Sequence, residues 1–149
     1  MHSFPLVEVS GDARQMGYQH GAQAAELIGK YLFWIEKMCG RSRQELIPGA
    51  MELLPYIQDF SPLYVEEIRG LAQGADISFE EALLCQVRGE AARAAPDGCT
   101  AFAFSGAATL DGQPLAGQNQ DLPPEFADLG IVLHLKPTDG RPRALTFTF

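Results

Sequence analysis

The spacing of apolar residues changes where Pro96 is followed by Asp97-Gly98-Cys99-Thr100. Before this junction apolar residues recur every three or four positions, as they do along one face of a helix. After it they alternate with small or polar residues, which is the pattern of a strand with one buried face. The sequence therefore predicts an α+β protein, with helices in residues 1–98 and antiparallel strands in residues 99–149. A length of 149 residues is enough for one structural domain with its own core.

Residues that favour helix ends mark several helices in the first half of the chain. Asp12 is predicted to cap a helix over about residues 13–38, and Gly40 is predicted to end it. Ser78 and Glu81 have the spacing of a capping box, in which each side chain bonds the backbone N–H of the other residue.

The first of these helices has a face of small residues, Gly17, Gly21, Ala24 and Ala25. Such a face lets a helix lie close to a sheet or to another helix. His20 is on the same face, where a packed and hydrogen-bonded histidine is favoured over a general base.

The chain is acidic, with a formal net charge of −8 and an isoelectric point near 4.7. Its few lysines and arginines are scattered, which argues against nucleic acid or an anionic membrane surface as a partner. Glu66 and Glu67 are adjacent on a predicted helix and point about 100° apart. They are therefore interpreted as a solvated face rather than as an acid/base pair.

The sequence has no apolar run that approaches the length of a membrane span, and residues 1–6 lack the features of a signal peptide. A cytoplasmic location is therefore expected. The three cysteines, Cys39, Cys85 and Cys99, form no CxxC or histidine-spaced pair, so neither a disulfide framework nor a metal site is predicted. Cys39 and Cys85 fall among apolar residues at helical spacing and are interpreted as packing residues.

Four strands are expected in the second half of the chain. They are residues 99–105, 114–121, 130–136 and 143–149. A two-residue turn at Asp111-Gly112 is expected to join the first two, and the four strands to form one antiparallel meander. The last strand still alternates at Phe149 without a closing turn. We therefore expect the sheet to be completed by a missing C-terminal half or by a partner chain.

Cys99 shares its face of the first strand with small residues, whereas phenylalanines back the other face. Small neighbours leave room for an acyl group beside the thiol. The expected turn places Phe104 opposite Asn119 and Phe102 opposite Asp121, so Asp121 lies on the phenylalanine face. Two alternatives follow: a bulge at Gly106 or Gly117 shifts the register, or Asp121 contacts the backbone amine of Cys99 rather than its sulfur, a role that suits a carboxylate.

Gly98 precedes Cys99, and glycine can present its carbonyl to a neighbouring thiol at angles closed to residues with a Cβ. A thiolate there can attack the Gly98–Cys99 peptide bond, and cleavage would leave Cys99 as a new N-terminus. The freed α-amine, with an ordinary pKa of about 7.7–8.0, would then place a base on the same residue as the nucleophile. The structural alternative is an ordinary buried cysteine at the start of a strand.

Three stretches of the chain together resemble one known family. They are the helix with Gly17 and Gly21, the segment 67–75 with Arg88 and Glu90 downstream, and Asp97-Gly98-Cys99-Thr100 followed by Gly117-Gln118-Asn119-Gln120-Asp121. The family is the acyl-coenzyme A:6-aminopenicillanate acyltransferase (isopenicillin N acyltransferase) group of self-cleaving cysteine N-terminal-nucleophile hydrolases. The last pair of motifs is the specific part of the resemblance. Gln120 departs from it, since the family commonly has an aromatic residue there.

The resemblance implies an α+β fold of the αββα sandwich type, of which this chain holds a part. Residues 1–98 would be a helical pro-region and residues 99–149 the start of the catalytic β segment. The substrates would be small-molecule amides or acyl-CoA thioesters, and no metal or organic cofactor is implied. A homo-oligomer is compatible with these expectations.

The resemblance also assigns roles to individual residues. Cys99 would be the nucleophile, and the Gly98–Cys99 bond would be the site of autoproteolysis. Asp121 would position the freed amine, and Asn119 would support the site through hydrogen bonds.

Three other functions remain open from the sequence. Bile-salt and penicillin V amidases share the Cys and Asn-x-Asp pattern but lack a long helical pro-region. An inert, truncated fragment that serves as a scaffold is the non-enzymatic alternative. A thiol protease with a Cys–His pair would need His20 near Cys99.

Overall fold

The computed structural model describes residues 3–92, 99–121 and 124–149, which combine helices with small sheets. The helices are α1 (Ala13–Cys39), α2 (Arg43–Met51), α3 (Leu54–Phe60), α4 (Pro62–Ala75), α5 (Phe79–Gln86) and α6 (Arg88–Ala92). The strands are β1 (Leu6–Gly11), β2 (Cys99–Phe104), β3 (Leu115–Gln120), β4 (Ile131–Pro137) and β5 (Ala144–Thr148). Two short 3-10 helices, Gly106–Ala108 and Pro124–Asp128, lie in connections. The mixture of helix and strand agrees with the predicted α+β class at this coarse level.

The chain forms two compact units. Met1–Ala94 and Ala127–Phe149 make up the first, and Ala95–Phe126 makes up the second. The first unit contains the six helices named above and the sheet of β1, β4 and β5. The second contains the β2–β3 hairpin, on which Cys99 lies.

The predicted helix ends are confirmed. Asp12 caps α1: its carboxylate accepts a hydrogen bond from the Gln15 N–H at 2.8 Å, and its own N–H donates to the Gln15 side chain at 3.0 Å. Gly40 ends α1 with a φ of 60°, a conformation that residues with a Cβ rarely adopt. Ser78 and Glu81 form the predicted capping box before α5, with hydrogen bonds of 3.1 and 3.0 Å.

Replacing Ser78 by alanine removes the acceptor for the Glu81 N–H at the start of α5. We expect the free energy of unfolding to fall by about 1 kcal/mol, as measured by urea denaturation followed by circular dichroism. Ser61→Ala is the matched control, because Ser61 precedes α4 and its side chain makes no capping hydrogen bond. Equal losses in the two variants would show that the Ser78 hydroxyl does not act as a cap.

Helices α1 and α4 cross with their backbones in close contact at four glycines. Gly17 and Gly21 of α1 lie so near α4 that an added Cβ would collide with backbone oxygens of that helix. Gly70 and Gly74 of α4 stand in the same relation to backbone oxygens of α1. The predicted close approach of α1 is therefore confirmed, with a helix as its partner. Ala25, in contrast, is exposed and lies off this contact.

Strand β4 is the central strand of a three-stranded sheet. It pairs with β1 in parallel and with β5 antiparallel. Val7 and Val9 of β1 share a buried face with Ile131 and Leu133 of β4, and this sheet packs against α1. The prediction of a single antiparallel meander is therefore wrong. The physical reason is that β4 pairs with β1 along one edge and with β5 along the other, so it has no edge free to pair with β3.

Strand β5 places its threonines on the same face as the buried residues of β4. Thr146 lies opposite Leu133, and Thr148 lies opposite Ile131. Leu145 lies on the other face and is 68% exposed. The alternation of apolar and polar residues predicts this strand correctly. It does not predict the buried face, because the threonines of β5, and not Leu145, lie on the side of the core. Among the described residues the far edge of β5 has no strand beside it, and completion of the sheet by further chain stays a prediction.

The β2–β3 hairpin pairs in a register that differs by four residues from the predicted one. Phe102 lies opposite Gly117 rather than Asp121, and the predicted Phe104–Asn119 pair is wrong by the same amount. Because the shift is an even number of residues, each side chain keeps its predicted face while its cross-strand neighbour changes.

The register shifts because β2 and β3 are not joined by the predicted two-residue turn at Asp111-Gly112. A longer loop connects them. Residues 105–114 form a loop that contains the short 3-10 helix. The Thr109 hydroxyl lies 3.1 Å from the backbone oxygen of Gly106 and 2.7 Å from that of Gln113, so it holds the two ends of the loop together. The loop is centred between Thr109 and Leu110, two residues before the centre of the predicted turn, and this moves every cross-strand pair by four residues.

Candidate functional site

Cys99 is the exposed thiol among the three cysteines. Cys85 is buried in α5, and Cys39 is half-buried at the end of α1. Burial raises the pKa of the Cys85 thiol to about 12, and it also raises the pKa of Cys39. Neither thiol is therefore a ready source of thiolate near neutral pH. Both agree with their interpretation as packing residues, and Cys99 is the candidate nucleophile.

Cys99 is the first residue of β2 and lies opposite Gln120 of β3. The small residues on its face, Ala101 and Ala103, are exposed, so space beside the thiol is open. The other face is not buried as predicted, because Phe102 and Phe104 are 48% and 50% exposed. Their ring centroids are 5.5 Å apart, and the Phe102 ring covers Gly117, where an added Cβ would collide with it.

Asn119 and Asp121 lie at the same end of the hairpin as Cys99. Asn119 is opposite Thr100, and Asp121 follows directly after the last residue of β3. Both side chains are exposed. The register thus brings the three predicted site residues to one end of one hairpin, with Asn119 on the face away from the thiol. Gly98 lies outside the described residues, and with it the peptide bond predicted to be cleaved.

The unit that carries Cys99 has few groups able to move a proton. Residues 95–126 contain no histidine, lysine or arginine. The Asp111 carboxylate accepts a hydrogen bond from the Gln113 N–H at 3.1 Å, in the loop at the far end of the hairpin. Asp121 is a described carboxylate at the Cys99 end, directly after β3.

His20 and Glu67 differ from their interpretation in the sequence. His20 is packed as predicted, with 8% exposed, but its Nε2 has no hydrogen-bond partner among the described residues. Burial lowers the pKa of this imidazole to about 4. Glu67 is not on a solvated face, since its side chain is 24% exposed and burial raises the pKa of its carboxyl. The burial of both residues could have been inferred from the glycines spaced four residues apart on each helix. Gly17 and Gly21 of α1 and Gly70 and Gly74 of α4 let the two helices approach closely.

No protein-family model matches the sequence. The resemblance to the acyltransferase group therefore depends on the residues quoted for it. In the described part of the chain no three His, Cys, Asp or Glu side chains are grouped so that they could hold a metal ion. The same residues include no helix that combines the length and the apolar character needed to cross a membrane.

Proposed function

We propose that this chain is part of an autoproteolytic cysteine N-terminal-nucleophile enzyme, an amidohydrolase or acyltransferase that acts on amide or acyl-CoA substrates. The observation that carries the proposal is the placement of Cys99. It is an exposed thiol at the start of a strand, with Asp121 at the same end of the hairpin and no histidine, lysine or arginine in its unit. The α-amine that cleavage would free on Cys99 supplies a base on the same residue as the nucleophile.

The first reaction is cleavage of the chain. The Cys99 Sγ attacks the carbonyl carbon of Gly98, and the peptide C–N bond breaks as the acyl group moves from nitrogen to sulfur. Water then hydrolyses the thioester. The products are a carboxylate on Gly98 and a free thiol and α-amine on Cys99.

The second reaction uses the new N-terminus. The α-amine takes the thiol proton, directly or through one water, and the thiolate attacks the carbonyl of an amide or an acyl-CoA. The amine or CoA thiol leaves, and a thioester acyl-enzyme remains. Water or an acceptor amine then takes the acyl group. Asp121 holds the amine in place through its charge. The supporting hydrogen bonds assigned to Asn119 come from the resemblance, and they would act from the face of the hairpin away from the thiol.

The remaining features belong to the same proposal. Residues 1–98 act as the helical pro-region of a zymogen, and residues 99–149 begin the catalytic β segment of an αββα sandwich in the cytoplasm. A related amidase without a pro-region, of the bile-salt or penicillin V type, is the nearest enzymatic alternative. The exposure of every residue of β2 favours a different second candidate, a non-catalytic fragment that serves as a scaffold. The burial of His20 gives no support to a Cys–His protease.

Intact-mass analysis of the complete polypeptide tests the proposal. We expect an N-terminal piece of 98 residues and a second piece that begins at Cys99. Cys99→Ala should abolish both the cut and acyl transfer from amide and CoA-thioester substrates. Cys39→Ala is the matched control and should keep both, because Cys39 is a half-buried packing residue. Turnover by a polypeptide whose residues 98 and 99 stay joined would contradict the mechanism, and a chain that neither cleaves nor turns over substrate would favour the scaffold.

A further inference from the structure

A cavity of about 450 Å³ lies in the first unit, beside the threonine side of β5. Leu133 and Leu135 of β4 line it from the sheet, and Ile68 and Leu71 line it from α4. Thr146 and Thr148 of β5 line it together with Phe147 and Phe149. Its volume is in the range of small-molecule binding sites, about 300–1,000 Å³.

His20 of α1 gives this apolar cavity a polar group without a partner. The imidazole lines the cavity and is 8% exposed, and its Nε2 has no hydrogen-bond partner among the described residues. A buried polar atom in this state has lost its hydrogen bond to water and gained none in return. Because burial lowers the pKa of His20 to about 4, the ring is neutral at pH 7 and Nε2 can donate or accept according to its tautomer.

The charges at the cavity do not favour an ion. Glu67 lines it, and its carboxylate is 4.0 Å from the Nη1 atom of Arg141. An anionic ligand would meet the Glu67 carboxylate, and a cationic ligand would have to compete with the Arg141 guanidinium that already pairs with this carboxylate. Thr146 and Thr148 add uncharged hydroxyls to the lining. The site therefore suits a ligand that is uncharged and mostly apolar.

We propose that this cavity binds a small apolar molecule carrying one uncharged hydroxyl group, which hydrogen-bonds to Nε2 of His20. The leucines and isoleucine cover the apolar part of the ligand. A hydroxyl matches a neutral imidazole in either tautomer, because it both donates and accepts. This site is independent of the proposed function, since every residue that lines it belongs to the first unit.

Three eight-carbon probes that differ only in their polar group test the proposal. They are 1-octanol, octanoate and octylammonium, each titrated into the protein at pH 7 by calorimetry. We expect saturable binding of 1-octanol, with the two ions weaker by about tenfold or more because each brings a charge into an apolar site. The side-chain ¹⁵N signal of His20 Nε2 should shift on addition of 1-octanol.

Variants distinguish binding in the cavity from nonspecific binding elsewhere on the protein. Thr146→Phe should fill the cavity and abolish binding, and His20→Leu should weaken 1-octanol binding by about fivefold, the loss of one hydrogen bond. His134→Leu is the matched control and should leave binding unchanged, because His134 contacts Glu8 at 2.9 Å and does not line the cavity.

Three results would each overturn the proposal. They are no saturable binding of 1-octanol, equal binding to wild type and Thr146→Phe, or octanoate or octylammonium as the strongest ligand. A fourth result would also overturn the proposal: the protein forms a concentration-dependent oligomer that does not bind 1-octanol. In that case a second copy of the chain occupies the cavity.

Discussion

Replacing Gly74 by alanine is expected to lower the free energy of unfolding by about 3 kcal/mol or more. The new Cβ would collide with the backbone oxygen of Tyr18, and a backbone atom in a helix cannot move aside as the end of a flexible side chain can. Relief requires α1 and α4 to separate, which opens the contact that buries both helices. Urea denaturation followed by circular dichroism measures the loss, and Gly17→Ala should behave in the same way because its Cβ would meet the Glu67 backbone oxygen.

Gly29→Ala is the matched control on α1. A Cβ at Gly29 meets nothing within 4 Å, so this variant gains the better helix propensity of alanine without a collision. We expect it to raise the free energy of unfolding by up to about 1 kcal/mol. A Gly74→Ala variant as stable as Gly29→Ala would show that the two helices do not cross at the distance described.

The second large effect is a loss of stability in acid caused by His20. In the unfolded chain the ordinary histidine pKa is near 6.5, whereas burial lowers it to about 4 in the folded state. As the pH falls through this window, the unfolded chain takes up a proton that the folded chain excludes, so stability falls with pH. The difference amounts to about 3 kcal/mol between pH 7 and pH 4. Unfolding free energies measured at the two pH values in wild type and in His20→Gln give this contribution by subtraction.

The subtraction also removes the contribution of Glu67, which has the opposite sign. Burial raises the pKa of its carboxyl, so protonation in acid favours the folded state, and this effect is present in both proteins. His134→Gln is the control, since this residue lies on the outer face of the sheet and contacts Glu8. The loss of stability in acid that is assigned to His20 should persist in this variant. If His20→Gln kept it as well, His20 would not be the buried neutral group described here.

The helix ends could be predicted from the sequence because caps are local. Asp12, Gly40 and Ser78 act within one turn of their own positions, and each has the predicted role. Strand order could not be predicted in this way. Alternation indicates which residues share a face, but it does not indicate which strand lies alongside, and the parallel partner of β4 comes from the other end of the sequence.

The candidate site could be predicted only in part for the same reason. The position of Cys99 at the start of a strand follows from its neighbours in sequence. Its cross-strand partner depends on a loop that Thr109 closes, and no dipeptide turn pattern reveals that loop. The burial of His20 and Glu67 depends on the distance between two helices. Glycines on both helices set that distance, and only those of α1 entered the prediction.

The parallel pairing of β1 with β4 decides what a cut between residues 98 and 99 would produce. Six residue pairs, from Leu6 with Val132 to Gly11 with Pro137, join the two sides of that cut. The hydrogen bonds from the Val132 N–H to Pro5 at 2.9 Å and from the Thr138 N–H to Gly11 at 3.0 Å extend the connection at both ends. If that bond is cut, the two products would therefore remain together as a noncovalent heterodimer held by this strand pairing.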